Sequence, residues 1–310
     1  MSVILLFIDG VGLGEEADYN PWYTVPTPRL EGILGGSSLV RRAAGSPAPH
    51  VTLLAADACL GVEGIPQSAT GQATIFTGRN APAAMGTHQS GLPFRRLREW
   101  VERDNLYHHF SSRGLTAAFA NSYTPEYFER PKTRRGWISV STAAAKSGEG
   151  KLLTLEDLLT GRAVYHDLTR RTLAKMRPEV KEIQPEEAAR HLLGLARQHD
   201  LTVHEYFLSD LAGHRRDHEL IEWVIRTYDR FLGAVLDGKK EEDTVILVSD
   251  HGNSEDFRVR THTQNTVPLL LLGRGAETVG RYQKEWDLTC VAPLLLQVAE
   301  ACSRVKWKGE

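Results

Sequence analysis

The sequence predicts an α/β fold, doubly wound around a mostly parallel sheet with helices on both faces. Short apolar runs bounded by turn residues recur along the chain, beginning with "VILLFI" at Val3–Ile8. Amphipathic helical stretches alternate with them, the longest being "HELIEWVIRTYDRFLGAVLDG" at His218–Gly238. The 310 residues show no internal repeat and no low-complexity linker, which suits one large α/β unit.

The elements follow in order. "VILLFI" is the first core strand, closed by Asp9-Gly10. "TPRLEGILGG" (27–36) is a helix with Thr27 as N-cap, Pro28 in the first helical position and a glycine stop. "VTLLAAD" (51–57) is a second strand. "SATGQATIFTG" (68–78) is a helix that opens at Ser68 and closes at Gly78. "LREWVERDNLYHHFSSRG" (97–114) is helical and "LTAAFAN" (115–121) is a strand. Residues 123–169 are the least regular, with the basic cluster "ERPKTRRGW" and a short helix at "TLEDLLTG". "PEEAARHLLGLARQ" (185–198) is an amphipathic helix opened by a proline. "LTVHEYFLSD" (201–210), "TVILVSD" (244–250) and "VPLLLLG" (267–273) are strands, and "LTCVAPLLLQVAEAC" (288–302) is the closing helix. A single domain over 1–310 is expected, with an elaboration within about 80–200.

Composition excludes several classes. Hydrophobic content is 41% and charged content 25%, as in soluble globular proteins. The net charge of −2 gives no basic field for nucleic acid. "MSVILLFIDG" lacks the basic start and the small-residue cleavage site of a secretory signal. No stretch has the roughly 18 apolar residues of a membrane span. Three scattered cysteines (Cys59, Cys290, Cys302) fit a reducing compartment, so a cytoplasmic protein is expected. The 218–238 helix needs one buried face, which the sheet can supply, so it demands no partner chain.

The chemistry gathers where predicted strands end. The first ends in Asp9; the 201–210 strand ends in Asp210, and "DLAGH" brings His214 four residues later; the 244–250 strand ends in Asp250-His251; "THTQNTVP" places His262 just before the next strand. Strand ends at the carboxyl edge are where open α/β sheets keep their ligand sites. An Asp there is most often a cap or turn former, and a lone His a packing residue. Capping does not call for histidine, however, and here the two recur together. Carboxylate with imidazole suits Zn²⁺ or Mn²⁺ better than Ca²⁺. Six such groups exceed one tetrahedral ion and match two ions with open positions for a substrate. His191, His199, His204 and His218 lie in strand or helix bodies and are read as structural. Adjacent strand residues point to opposite faces, so Asp250 and His251 can meet one centre only if the chain turns, as Gly252-Asn253 allows.

Ser68 is the nucleophile candidate. At a helix N-terminus, free backbone N–H groups and the dipole favour an oxyanion and bound phosphate. A metal beside the hydroxyl lowers its pKa. Serine is also among the best N-caps, which explains Ser68 without chemistry. Thr70 is a rival, but it points about 200° around the helix from Ser68, so both cannot face one metal.

"FIDGVG", "SATGQ", "DLAGH", "SDHGN" and "THTQNTVP", in that order, resemble the alkaline phosphatase superfamily. The likeness is strongest to its metalloenzyme branch, which includes cofactor-independent phosphoglycerate mutase and phosphopentomutase. The motifs span Asp9 to Pro268 and leave the middle unmatched. The resemblance implies two metals, one held by Asp9, Ser68, Asp250 and His251, the other by Asp210, His214 and His262. It also implies Ser68 rather than Thr70 as nucleophile, with a phospho-enzyme intermediate. The family's mutases carry a large closing domain, for which the 80–200 segment has little room. The sulfatase signature of a Cys or Ser followed by x-Pro-x-Arg is absent from "SATGQ".

The expected function is a metal-dependent phosphoesterase acting on a small-molecule phosphate ester. A phosphomutase and a phosphodiesterase are the alternatives, and a domain with purely structural metals ranks last, since structural zinc prefers cysteine. Cations for the phosphate are sought at Arg79, three turns from Ser68 and so at the wrong helix end, and at Arg130, Lys132, Arg134 and Arg135, a cluster read first as a solvated face. His88, in the loop "GTHQSGLP", is a further candidate for lining the site.

Overall fold

The computed structural model describes residues 2–129, 138–148, 152–278 and 285–306. Strands β1 (Val3–Ile8), β2 (Gly45–Ala48), β3 (Val51–Ala56), β4 (Ala117–Phe119), β7 (Leu201–Tyr206), β8 (Thr244–Val248) and β9 (Val267–Leu272) form one sheet. Its order is β2-β3-β9-β8-β1-β7-β4. The short strands β5 (Ser122–Tyr123) and β6 (Leu153–Thr154) pair separately. β8, β1, β7 and β4 are consecutive parallel neighbours. β9 runs antiparallel to both β8 and β3, so β3 points the same way as β8. The sheet is therefore mostly parallel, as the sequence predicts, with β9 and the edge strand β2 reversed.

Alternation along the buried strands sorts the core into two layers. Val3, Leu5, Phe7, Val203, Ile246 and Val248 face one side with Ala69, Ala73 and Phe76 of the Ser68–Thr77 helix and with the Val291–Lys306 helix. Ile4, Leu6, Ile8, Tyr206 and Leu247 face the other, against the Pro185–Ala196 and His218–Gly238 helices. β1 is buried along its whole length because both faces are covered. Among the described residues no helix is long and apolar enough to cross a membrane.

Four expectations need correction. β7 ends at Tyr206, four residues early, because Phe207 leaves the extended region (φ −111°, ψ 4°) and a helix, Leu208–Arg215, begins at once. Asp210 is thus in a first helical turn, not at a strand end. The single helix expected over 97–114 is two, Arg95–Arg103 and Leu106–Ser111. Asp104 and Asn105 between them are extended, and the Asn105 side chain caps the second through the Tyr107 amide. Thr27 makes no side-chain cap; its hydroxyl donates to Glu31 instead.

Candidate metal centre

The topology explains why distant motifs meet. The parallel strands β1 and β8 end at one edge, where Asp9 and Asp250 follow them. Asp9 continues the Val3-Leu5-Phe7 face and Asp250 the Ile246-Val248 face, so both point toward the layer that holds the Ser68 helix. β9 is reversed, so its beginning lies at that same edge, and His262 arrives just before it. β3 also ends there and its loop leads to Ser68. Asp210 and His214, four apart on the Leu208–Arg215 helix, share one helix face, with His214 Nε2 3.3 Å from Asp210 Oδ2.

All seven predicted residues come together. Ser68 Oγ lies 2.9 Å from His251 Nε2. That nitrogen is 3.3 Å from Asp9 Oδ1 and 3.5 Å from Asp250 Oδ2. His262 Nε2 is 3.1 Å from His214 Nε2 and 3.6 Å from Asp210 Oδ1. The His251 and His262 rings stack at 3.7 Å. Two triads have ligand atoms close enough to share an ion: Asp9, Asp250, His251 and Asp210, His251, His262. His251 belongs to both, so it stands between the two ligand sets that the family resemblance keeps apart.

The hydrogen bonds on the far side of each ring fix its orientation. Nδ1 of His214 donates to the Arg260 carbonyl at 2.8 Å, that of His262 to Pro66 at 2.8 Å, and that of His251 to Gly252 at 3.3 Å. A carbonyl only accepts, so each Nδ1 carries a hydrogen and Nε2 is the atom each ring turns toward the carboxylates; that of His214 donates to Asp210. Three Nε2 atoms and three carboxylates therefore converge on one place. Asp9 Oδ1 and Asp250 Oδ2 are buried there without a hydrogen-bond partner.

Such a cluster resists ionisation when bare. Burial, then Asp250 and Asp210, push Asp9 well above the usual carboxylate range. Burial, then Asp210, do the same to Asp250. Burial and neighbouring His262 push His251 down to about 3. Burial opposes the charge on Asp210 too, but His214, His251 and Asn253 together bring it to about 2. The hydrogen bond from His214 to Asp210 correspondingly raises the histidine. Carboxylates and imidazoles crowded together, with Asp9 Oδ1 and Asp250 Oδ2 left without a donor, are what a divalent cation site requires, so the residues fit the metals that the sequence motifs imply.

The Ser68 helix differs from expectation. Gln67 is its N-cap and Ser68 its first residue, so the Ser68 hydroxyl is turned to His251 rather than spent on capping. The amides of Ala69 and Thr70 donate to the Gln89 carbonyl at 3.0 and 3.4 Å and are not free for phosphate. The loop "GTHQSGLP" thus closes the helix end, and His88 within it bonds the Val62 carbonyl. Thr70 is fully buried; its hydroxyl donates to Gln67 and accepts from the Gln89 amide, away from the cluster. Arg79 pairs with Asp104 at 2.5 Å. Arg130, Lys132, Arg134 and Arg135 lie outside the described residues. His191, His199, His204 and His218 bond or stack elsewhere.

Sequence reasoning missed the residues that hold the ligands. Asn253 donates to Asp210 Oδ1 at 2.6 Å and Ser209 to the Asp9 carbonyl at 2.6 Å. Fully buried Glu255 accepts from the amides of Gly12 and Asn253 and from Asn265, tying three motif loops together. The adjacency of Asn253 and Glu255 to "DHG" was the available signal.

A family model described as the Metalloenzyme superfamily matches residues 1–300. The chain is 32% identical over 130 residues to the 2,3-bisphosphoglycerate-independent phosphoglycerate mutase of Wolinella succinogenes, covering 40% of this chain and 25% of that protein. It is 39% identical over 61 residues to the phosphopentomutase of Limosilactobacillus reuteri, covering 20% of this chain and 15% of that one. The matched part therefore spans about a quarter or less of these curated relatives. Among solved structures, the PH0037 protein from Pyrococcus horikoshii superposes with TM-score 0.60 at 15% identity over 96% of both chains. The alkaline phosphatase from the Antarctic bacterium TAB5 does so with TM-score 0.56 at 13% identity, over 96% of this chain and 98% of that one. These two show a shared fold. With a family model matched along nearly its whole length, the chain belongs to the Metalloenzyme superfamily.

Proposed function

We propose that the protein is a metal-dependent phosphoesterase that works through a phosphoserine at Ser68. The observation that carries this reading is the convergence of three imidazole Nε2 atoms and three carboxylates beside a serine hydroxyl at a helix N-terminus. Asp9, Ser68, Asp250 and His251 would hold one divalent ion, Zn²⁺ or Mn²⁺, and Asp210, His214 and His262 the other, with His251 within reach of both. Such ions, when bound, acidify hydroxyl groups and water and neutralise the charge of the transferring phosphoryl group.

Ser68 Oγ forms the new bond to phosphorus as the ester oxygen leaves on the opposite side. The bond is then broken by water, which releases phosphate and restores the hydroxyl. The dipole of the Ser68–Thr77 helix favours negative charge at that position. Asn253 and Ser209 hold Asp210 and the Asp9 backbone in place throughout. The substrate is taken to be a small-molecule monoester.

A phosphomutase is the second reading, favoured by the names of the matched relatives. Against it, much of the 80–200 segment shares the core of the main sheet: Leu97, Val101, Leu106, Tyr107 and Val140 pack with Phe7 and Phe76. Among the described residues the only separate hydrophobic cluster in that segment is small, around Leu158, Tyr165 and Leu173. A mutase needs a site that closes against water.

The test is phosphate release from p-nitrophenyl phosphate by metal-stripped protein reloaded with Zn²⁺ or Mn²⁺. Turnover that requires metal and disappears in Ser68→Ala is expected. Full turnover in Ser68→Ala would overturn the nucleophile, and phosphate moved within a substrate but not to water would favour the mutase.

A further inference from the structure

A cleft of about 280 Å³ opens beside the metal centre, and nothing in the chemistry above uses it. Its position follows from register. Phe7 pairs with Glu205, and the Asp9 amide donates to the Tyr206 carbonyl. Glu205 therefore lies on the same face as Phe7 and Asp9, one strand away, at the edge that holds the ligands. On another side stands Leu92, from the loop whose Gln89 closes the Ser68 helix. The cleft is thus bounded by the two segments that carry Asp9's neighbour strand and Ser68's capping loop.

Its walls are aromatic. Phe207 stacks on His166 with centroids 4.4 Å apart, and Tyr123 packs on Tyr127 at 4.7 Å. Phe207 is 37% exposed, so its ring offers an accessible apolar face to the cleft. Two polar atoms are unspent. Glu205 is 8% exposed and accepts from Ser141 through Oε2, while its Oε1 takes no hydrogen bond among the described residues. His166 Nδ1 is buried without a partner. His166 Nδ1, buried without a partner, costs free energy unless a ligand bonds to it, and Glu205 Oε1 is an acceptor open to the cleft. The volume is at the low end for ligand pockets and suits one ring system rather than a polymer.

We propose that this cleft binds the leaving group of the phosphate ester, and that this group carries a planar aromatic or heteroaromatic ring with an N–H or O–H donor for Glu205. The ring lies against Phe207 and Tyr127, where apolar faces meet. A nucleoside and a substituted phenol share this chemistry. The leaving-group role rests on the phosphoesterase reading; the ring site itself does not.

Isothermal titration of the metal-free protein with adenosine, 4-aminophenol and glycerol tests the proposal without turnover. At least one ring compound binds and glycerol does not. Phe207→Leu, at an exposed position that does not hold the core, weakens ring binding about fivefold to tenfold. Glu205→Gln, which keeps the shape, weakens it several-fold. Binding of adenosine alone assigns a nucleotide ester; binding of 4-aminophenol assigns an aryl ester. Absence of binding by both rings, or affinity unchanged in both variants, overturns the site. Ring binding in a protein that hydrolyses no phosphate ester overturns the leaving-group role alone. Turnover of p-nitrophenyl phosphate without ring binding sinks the cleft and leaves the phosphoesterase standing.

Discussion

At the scale of single residues, the site is marked by two buried carboxylate oxygens, of Asp9 and Asp250, that lack donors. Ser68 Oγ is turned to the histidine between them, whereas Thr70 spends its own hydroxyl on the helix end. Ser68→Ala should lower kcat on p-nitrophenyl phosphate by about three orders of magnitude or more while leaving the fold unchanged by circular dichroism. Loss of less than tenfold would mean that another group attacks phosphorus. Glu205 allows a second prediction. Burial, opposed by the Ser141 hydrogen bond, pushes it from its ordinary 4.5 up to about 7. Between these values the folded chain keeps a proton that the unfolded chain has released. Its contribution is therefore fully present below pH 4.5 and is lost as pH rises through about 7. Wild type should lose about 3 kcal/mol relative to Glu205→Gln across that window, read from urea midpoints at a series of pH values. A difference that stays flat with pH would show that Glu205 ionises normally in the fold.

At the scale of elements, close approach of the Ser68 helix to β8 sets the distance from nucleophile to ligands. A Cβ at Gly71 would lie 2.7 Å from the Asp250 carbonyl oxygen and 3.0 Å from its Cβ. Gly71→Ala must push the helix away from backbone that cannot yield. It should cost roughly 1–3 kcal/mol by thermal unfolding and cut kcat/KM by more than that loss alone explains, because Ser68 moves with the helix. Unchanged kcat/KM would mean that the helix is free to adjust. The same elements show how far sequence alone reaches. β1, β8 and the 68–78 helix were legible because their apolar runs and glycine stops are local signals. All seven candidate ligands could be named from motif order, yet the backbone at Asp210 could not: "YFLSD" reads as a continuing strand until Phe207 turns. Nor does any local pattern announce that β9 runs backwards, which is what delivers His262 to the correct edge. Glu205 was hidden for a related reason, since its use depends on which strand lies beside β1.

At the scale of the whole molecule, the cluster ties stability to metal. The candidate ligands come from segments far apart in sequence, from Asp9 to His262, so an ion bound among them would join segments that must all be folded. Binding to the folded state alone stabilises by about 2.7 kcal/mol at a free metal concentration one hundred times Kd. For a chain of this size each kcal/mol moves the melting temperature by about 2–4 °C, so chelation should lower it by several degrees. Proton release should accompany reloading. In the bare protein burial, then Asp250 and Asp210, hold Asp9 well above the usual carboxylate range, and burial, then Asp210, hold Asp250 there, so both favour the protonated form more than a free carboxyl does. His214 is raised by its hydrogen bond to Asp210 and so also favours its protonated form. A cation binds only the deprotonated forms, so loading at about pH 6 must expel protons, and affinity must rise with pH. Calorimetric titration with Zn²⁺ in two buffers of different ionisation enthalpy measures this directly. One or more protons released per protein is expected, with fewer in Asp9→Asn because one protonated carboxyl is gone. Equal heats in both buffers would show that the carboxylates are already ionised before metal arrives, and the physical basis for calling this cluster a cation site would fall with it.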